Sequence, residues 1–215
     1  MGEIERALID DDYRIAGDRP VAYLDESYST PTQQGKNFYI LTAVVVAQPA
    51  RDALRKGIEV IADGDYWHTT EVLQKPDGVA WVHDMLTYLC DGQEVCVVAL
   101  NETVSDDDKD GEVARQNCFE RLLPSLEQGG TDHEPVKLAI LETRRERKQR
   151  NHDDYMFNQM IKSELLSESF RLRQASPADE HLLWLPDTVC SAVRRRVVLQ
   201  KTDLFSAIES SVIWA

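Results

Sequence analysis

The chain has 215 residues, 42% of them hydrophobic, which suits one domain with a substantial core. Its 38 acidic residues outnumber the 24 basic ones, for a net charge of −14, so most of the surface repels a polyanion and any nucleic-acid contact must be local. The longest apolar stretch, Phe38 to Ala47, is far short of the roughly 20 residues of a membrane span, and MGEIERALIDDDYR lacks the apolar segment of a signal peptide.

Residues 1–20 are polar and acidic and are expected to form a flexible arm ahead of a single domain over residues 21–215. VAYLDES, Val21 to Ser27, predicts a first strand that ends in Asp25, Glu26 and Ser27. Strand alternation puts Tyr23 and Asp25 on one face and Leu24 and Glu26 on the other. With the Leu24 face buried, Asp25 emerges opposite it at the carboxyl end of the strand; a plain acidic turn is the alternative. After a loop over Tyr28 to Lys36 comes a second strand, Asn37 to Ala47. Its run of Val44, Val45 and Val46 suits a strand covered on both faces. Pro49 suits the first turn of a helix that carries Ala53, Leu54, Ile58 and Ile61. The next helix starts at Asp77-Gly78 with Trp81, Val82, Met85, Leu86 and Leu89 at helical spacing.

Glu94 to Leu100 reads as a third strand, Asp106 to Asp108 as a solvated loop, and Glu112 to Leu126 as a helix closed by Gly129-Gly130. Val136 to Glu142 is a fourth strand. TRRERKQRNHDD then reads as a connector, and Tyr155 to Arg173 keeps a helical pattern. His181 to Leu185 is expected as a short last strand, with Pro186 and Asp187 opening a helix through Val198. Leu204, Phe205, Ile208 and Val212 suggest a final amphipathic turn or two. Strands alternating with helices imply an α/β layer structure. Cys90, Cys96, Cys118 and Cys190 show no metal-type spacing and read as small buried hydrophobes in a reducing cytoplasm.

Acidic residues recur at element ends. Glu142 closes the apolar run of VKLAILETR, Asp187 follows LLWLP, and Glu71 lies three residues after His68 in YWHTTEVL. If that last segment is helical, His68 and Glu71 share a face. Separated carboxylates gathered at one end of a sheet suit Mg²⁺ or Mn²⁺, which prefer oxygen ligands and share them with substrate phosphates. Each residue also has an ordinary role open to it: Asp187 as a helix-start residue, Glu142 as a partner of Arg144 or Arg145, His68 as a satisfied histidine. Arg144, Arg145, Arg147, Lys148 and Arg150 follow Glu142, and Arg194, Arg195 and Arg196 follow Asp187. Such groups suit a local phosphate grip or a solvated face.

Taken in order, LDES (Leu24 to Ser27), WHTTE (Trp67 to Glu71), LETR (Leu141 to Arg144) and LLWLPD (Leu182 to Asp187) resemble the bacterial family known as domain of unknown function 3800. The chain departs from that family's commonest form at Tyr28, where Gly often stands, and at Trp184-Leu185-Pro186-Asp187. The resemblance covers about residues 21–197 and implies a ribonuclease H-like fold, a mixed central sheet flanked by helices. It implies a site in which Asp25, Glu142 and Asp187, with Glu71, bind Mg²⁺ or Mn²⁺. The expected activity is that of a divalent-metal-dependent nuclease or related phosphoryl-transfer enzyme. His68 would assist proton transfer, Glu71 would bind metal or position water, and Arg144, Arg145 and Arg194 would hold phosphates. Two other readings stand beside it: a non-catalytic ribonuclease H-like module that binds a protein or nucleic-acid partner, and a hydrolase of a small phosphorylated metabolite or nucleotide; a protein partner or a homo-oligomer is compatible with each.

Overall fold

The computed structural model describes residues 2–33 and 35–215. Six strands form one mixed sheet: β1 (Val21–Ser29), β2 (Phe38–Val46), β3 (Val95–Asn101), β4 (Leu138–Glu142), β5 (Arg171–Ala175) and β6 (Val212–Trp214), in the order β5-β4-β1-β2-β3-β6. β2 runs antiparallel to both β1 and β3; β4 is parallel to β1, and β5 to β4. The central strands are long apolar runs because both faces are covered: every residue of β2 is buried.

Helices lie on both sides of the sheet. Val21, Tyr23, Val44 and Ile140 face a core built with α2 (Arg51–Ala62), α4 (Gly78–Cys90) and α7 (Trp184–Val197). Ala22, Leu24, Val45 and Leu141 face a second core built with α5 (Glu112–Gln128) and α6 (Arg147–Lys162). This is the mixed central sheet flanked by helices that the resemblance implied. Among the described residues, no helix is long and apolar enough to cross a membrane.

Several local expectations are corrected. The acidic N-terminal stretch is not a loose arm: Gly2–Ala16 is a helix, α1, with Ile9 buried in the first core. Asp12 on α1 is buried and accepts from Arg171 at 3.3 Å and Arg173 at 2.5 Å, which ties the helix to β5. That pairing spans about 160 residues and has no local signature. β5 itself, RLRQA, falls inside the stretch expected to be helical to Arg173; α6 ends at Lys162. As a charged edge strand it carries little apolar pattern. TRRERKQRNHDD is not all connector, since α6 begins at Arg147.

His181–Leu183 is a 3₁₀ turn leading straight into α7, not a strand. Glu180 caps it by accepting from the Leu182 N–H at 3.0 Å, and Pro186 is tolerated in the first helical turn. β6 was expected as the end of an amphipathic helical turn. Asp108 is buried, not solvated: its carboxylate accepts from the N–H groups of Val113 and Ala114 at the start of α5.

Candidate active site

The parallel pairing of β1 with β4 runs from Val21 opposite Leu138 to Leu24 opposite Leu141. The next residues in register are Asp25 and Glu142, and β4 ends there. Both follow the alternation of Tyr23 and Ile140, so both carboxylates leave the sheet on the side covered by α7. β1 itself continues to Ser29 against β2. Asp25 therefore stands where its parallel neighbour stops, not at the end of its own strand as the sequence suggested.

α7 packs across this end of the sheet and carries Asp187 in its first turn. One turn later, the Cys190 thiol lies 3.3 Å from the Asp25 carbonyl oxygen and 2.9 Å from the Thr42 hydroxyl, which seats α7 on β1 and β2. Asp187 is also held from outside: its Oδ2 accepts from the Thr69 N–H at 2.8 Å, the first residue of the short helix α3 (Thr69–Val72). Trp67 anchors that segment by donating its indole N–H to Thr69 and Thr188 at 3.0 and 3.1 Å.

Asp25, Glu26, Glu142 and Asp187 line one cleft of about 450 Å³, with His68, Arg144 and Arg145 around it. Burial pushes Asp25 well above the usual carboxylate range, and the charges of Glu142 and Asp187 push it further. Glu142 is raised to about 7, by burial first and then by Asp187 and Glu26, with Arg145 acting against the shift. Asp187 is raised by burial, against the hydrogen bonds from Thr69 and the nearby His68. Burial thus opposes the ionisation of all three acids and neighbouring carboxylates oppose that of Asp25 and Glu142, while the Thr69 hydrogen bonds on Asp187 and the Arg145 charge near Glu142 work the other way.

In kind the donors suit a hard divalent cation, since the cleft offers carboxylate oxygens from three separate elements. The acids line the cleft without closing into a cage. Among the described residues, no three His, Cys, Asp or Glu side chains are grouped to hold an ion as they stand.

The other expected site residues divide. His68 is exposed at the cleft. Glu71 is outside its lining and instead accepts a hydrogen bond from the Tyr66 hydroxyl at 3.1 Å. Arg144 is not free to grip phosphate. Its guanidinium donates to both oxygens of Glu112, at 2.5 and 3.1 Å, and to Asp153 at 3.3 Å. Arg145 is exposed on the cleft. Arg194 lies outside the lining, its guanidinium 6.0 Å from the centre of the Phe38 ring.

Glu26 was missed as a site residue. It leaves β1 on the α5 side and is gripped there by the Tyr39 hydroxyl at 2.6 Å and the Arg115 Nε at 2.8 Å. Arg115 also donates to Asp153 at 2.5 Å, and both are almost wholly buried. One sequence signal existed: Arg115 occupies a core position of its helix, in step with Cys118, Phe119, Leu122 and Leu126. Removing one partner of such a pair typically costs about 3–5 kcal/mol, because the other charge stays buried.

Fold and site together define an α/β chain with a carboxylate-lined cleft where β4 ends beside β1. No protein-family model matches the chain, and no curated protein matches it. Among solved structures it is similar to a mutant protein of Bst-RNase HIII, at 11% identity and a TM-score of 0.47, over 92% of this chain and 55% of that one. It is also similar to Bst-RNase HIII in complex with Mn²⁺, at 14% identity and a TM-score of 0.43, over 91% of this chain and 55% of that one. The chain spans little more than half the length of these structures.

Proposed function

We propose that the chain is a divalent-metal-dependent nuclease, cleaving phosphodiesters at the cleft between β1, β4 and α7. The observation that carries this reading is the convergence of Asp25, Glu142 and Asp187 on one cleft, each with its ionisation opposed by burial and two of them by their neighbours' charge. Burying like charges together is costly unless a cation compensates them. Asp25, Glu142 and Asp187 would hold Mg²⁺ or Mn²⁺, with Glu26 beside them. Bound there, the metal supplies positive charge to phosphate oxygens and lowers the pKa of water. Asp25 and Glu142 are fixed by the sheet and Asp187 by the Thr69 N–H, so the acids are oriented before substrate arrives. His68, exposed at the rim, is placed to exchange a proton with solvent. Arg145 is exposed on the cleft and in no ion pair among the described residues, so it can meet a phosphate, which fits a short contact on an otherwise acidic chain.

End-labelled single- and double-stranded DNA and RNA, incubated with Mg²⁺ or Mn²⁺ and with chelator, test this directly. Metal-dependent cleavage that falls at least about a hundredfold in Asp25→Asn is expected, the scale of losing one key electrostatic group. Absence of cleavage from all four substrates with either metal refutes the proposal.

A further inference from the structure

A second cleft, of about 200 Å³, opens beside the acidic one and shares His68, Glu142 and Asp187 with it. The two differ in chemistry. The acidic cleft is lined mainly by polar atoms, whereas Tyr66, Pro177 and Trp184 give the second a largely apolar wall. Trp184 is buried and stacked on His181 with ring centres 4.3 Å apart, so it forms fixed floor. Tyr66 is the contrasting element: the residue is 63% exposed, and its hydroxyl is tethered to Glu71. The ring is held at the edge of an apolar cleft beside the half-buried acids, where its face is suited to cover a flat apolar partner.

We propose that this cleft is a nucleobase subsite, in which Tyr66 stacks on the base adjoining the phosphate at the acids, with Glu71 as a positioning residue that orients the ring. The inference rests on the nuclease reading for its substrate class and deepens it. Three features select a base over other occupants. The subsite is continuous with the acids, so whatever fills it is attached to the group they act on. The contact surfaces are aromatic and proline, which match a π-face. The wall residues Tyr66, Pro177 and Trp184 carry no cationic group, so a second phosphate is disfavoured. A base free to enter must be unpaired, so single-stranded substrate is preferred over duplex. Glu71, which lies outside the acidic cleft, thereby acquires a role through Tyr66.

The test is binding, read separately from cleavage. A short single-stranded oligonucleotide carrying 2-aminopurine is titrated with protein in Ca²⁺, and its fluorescence quenching is followed. A matched oligonucleotide with an abasic site at that position is compared by anisotropy. Tyr66→Ala should weaken binding by about 5- to 150-fold, the range of stacking on one aromatic side chain. Tyr66→Phe should retain most of it, and Glu71→Gln should fall between. The abasic oligonucleotide should bind wild type as weakly as the intact one binds Tyr66→Ala, and the two changes together should not add. Equal affinity of wild type and Tyr66→Ala, additive losses, or no binding by wild type overturns the subsite. Stacking without metal-dependent cleavage in the separate assay would leave the subsite standing and defeat the nuclease reading alone.

Discussion

Glu142→Gln isolates the repulsion that the fold builds into its acidic cleft. In the folded chain Glu142 is raised from 4.5 to about 7 by burial and by Asp187 and Glu26. The folded state thus holds the Glu142 proton more tightly than the unfolded state does, and stability must fall as pH rises from about 4.5 to about 7. The full displacement corresponds to about 3 kcal/mol; solvent in the open cleft screens this to about 1–2 kcal/mol. Glutamine keeps the shape and removes the titration. Above pH 7.5 the metal-free variant should therefore melt higher than wild type by about 2–8 °C, at about 2–4 °C per kcal/mol for a chain of this size. At pH 4.5, where wild-type Glu142 is protonated, the two should melt together. Calorimetry across pH 4.5–8 in chelator gives both curves. Parallel curves, or a variant less stable at high pH, would show that Glu142 ionises without strain and would remove the electrostatic argument for a cation.

Asp187→Asn should leave the fold intact, because asparagine also suits a helix start, but should shrink the melting increase that Mn²⁺ produces in wild type; equal increases in both proteins would exclude Asp187 from metal binding. Charge reversal should separate the two arginines that follow Glu142. Arg144→Glu removes the guanidinium that holds Glu112, sets a like charge against it and leaves Asp153 with Arg115 alone, and should cost about 3–5 kcal/mol of stability in chemical denaturation, whereas Arg145→Glu should leave stability within about 0.5 kcal/mol while weakening oligonucleotide binding and flattening its salt dependence. Equal stability of the two reversals would contradict the buried network around Asp153.

The elements written as continuous apolar runs were legible from the chain alone. Val21 to Leu24, Val44 to Val46 and Leu138 to Leu141 can only be buried, and their lengths are those of strands. Alternation then placed Asp25 on the Tyr23 face, and the abrupt ends of the apolar runs marked Asp25, Glu142 and Asp187. These are local properties of sequence, since a side chain's direction on a strand follows from its neighbours'. Elements stabilised from a distance were not legible. α1 is tied down by Asp12 with Arg171 and Arg173, and β5 exists as an edge because β4 offers it backbone partners.

Among the site residues the same division holds. That the acids share one cleft was suggested by their positions, but it depends on α7 crossing the sheet end so that Cys190 meets Asp25 and Thr69 meets Asp187. The sequence placed Arg144 and Arg145 side by side with equal claims on phosphate. Only the folded chain brings Glu112 and Asp153 to Arg144 and leaves Arg145 facing the cleft. Likewise, helical spacing could put Glu71 beside His68, yet the tether to Tyr66 turns it to a different task. Hydrophobic pattern is a one-body property, written residue by residue along the chain. The pairing of charges is a two-body property between residues far apart in sequence, and it acquires a value only when burial removes the water that would otherwise satisfy each partner alone.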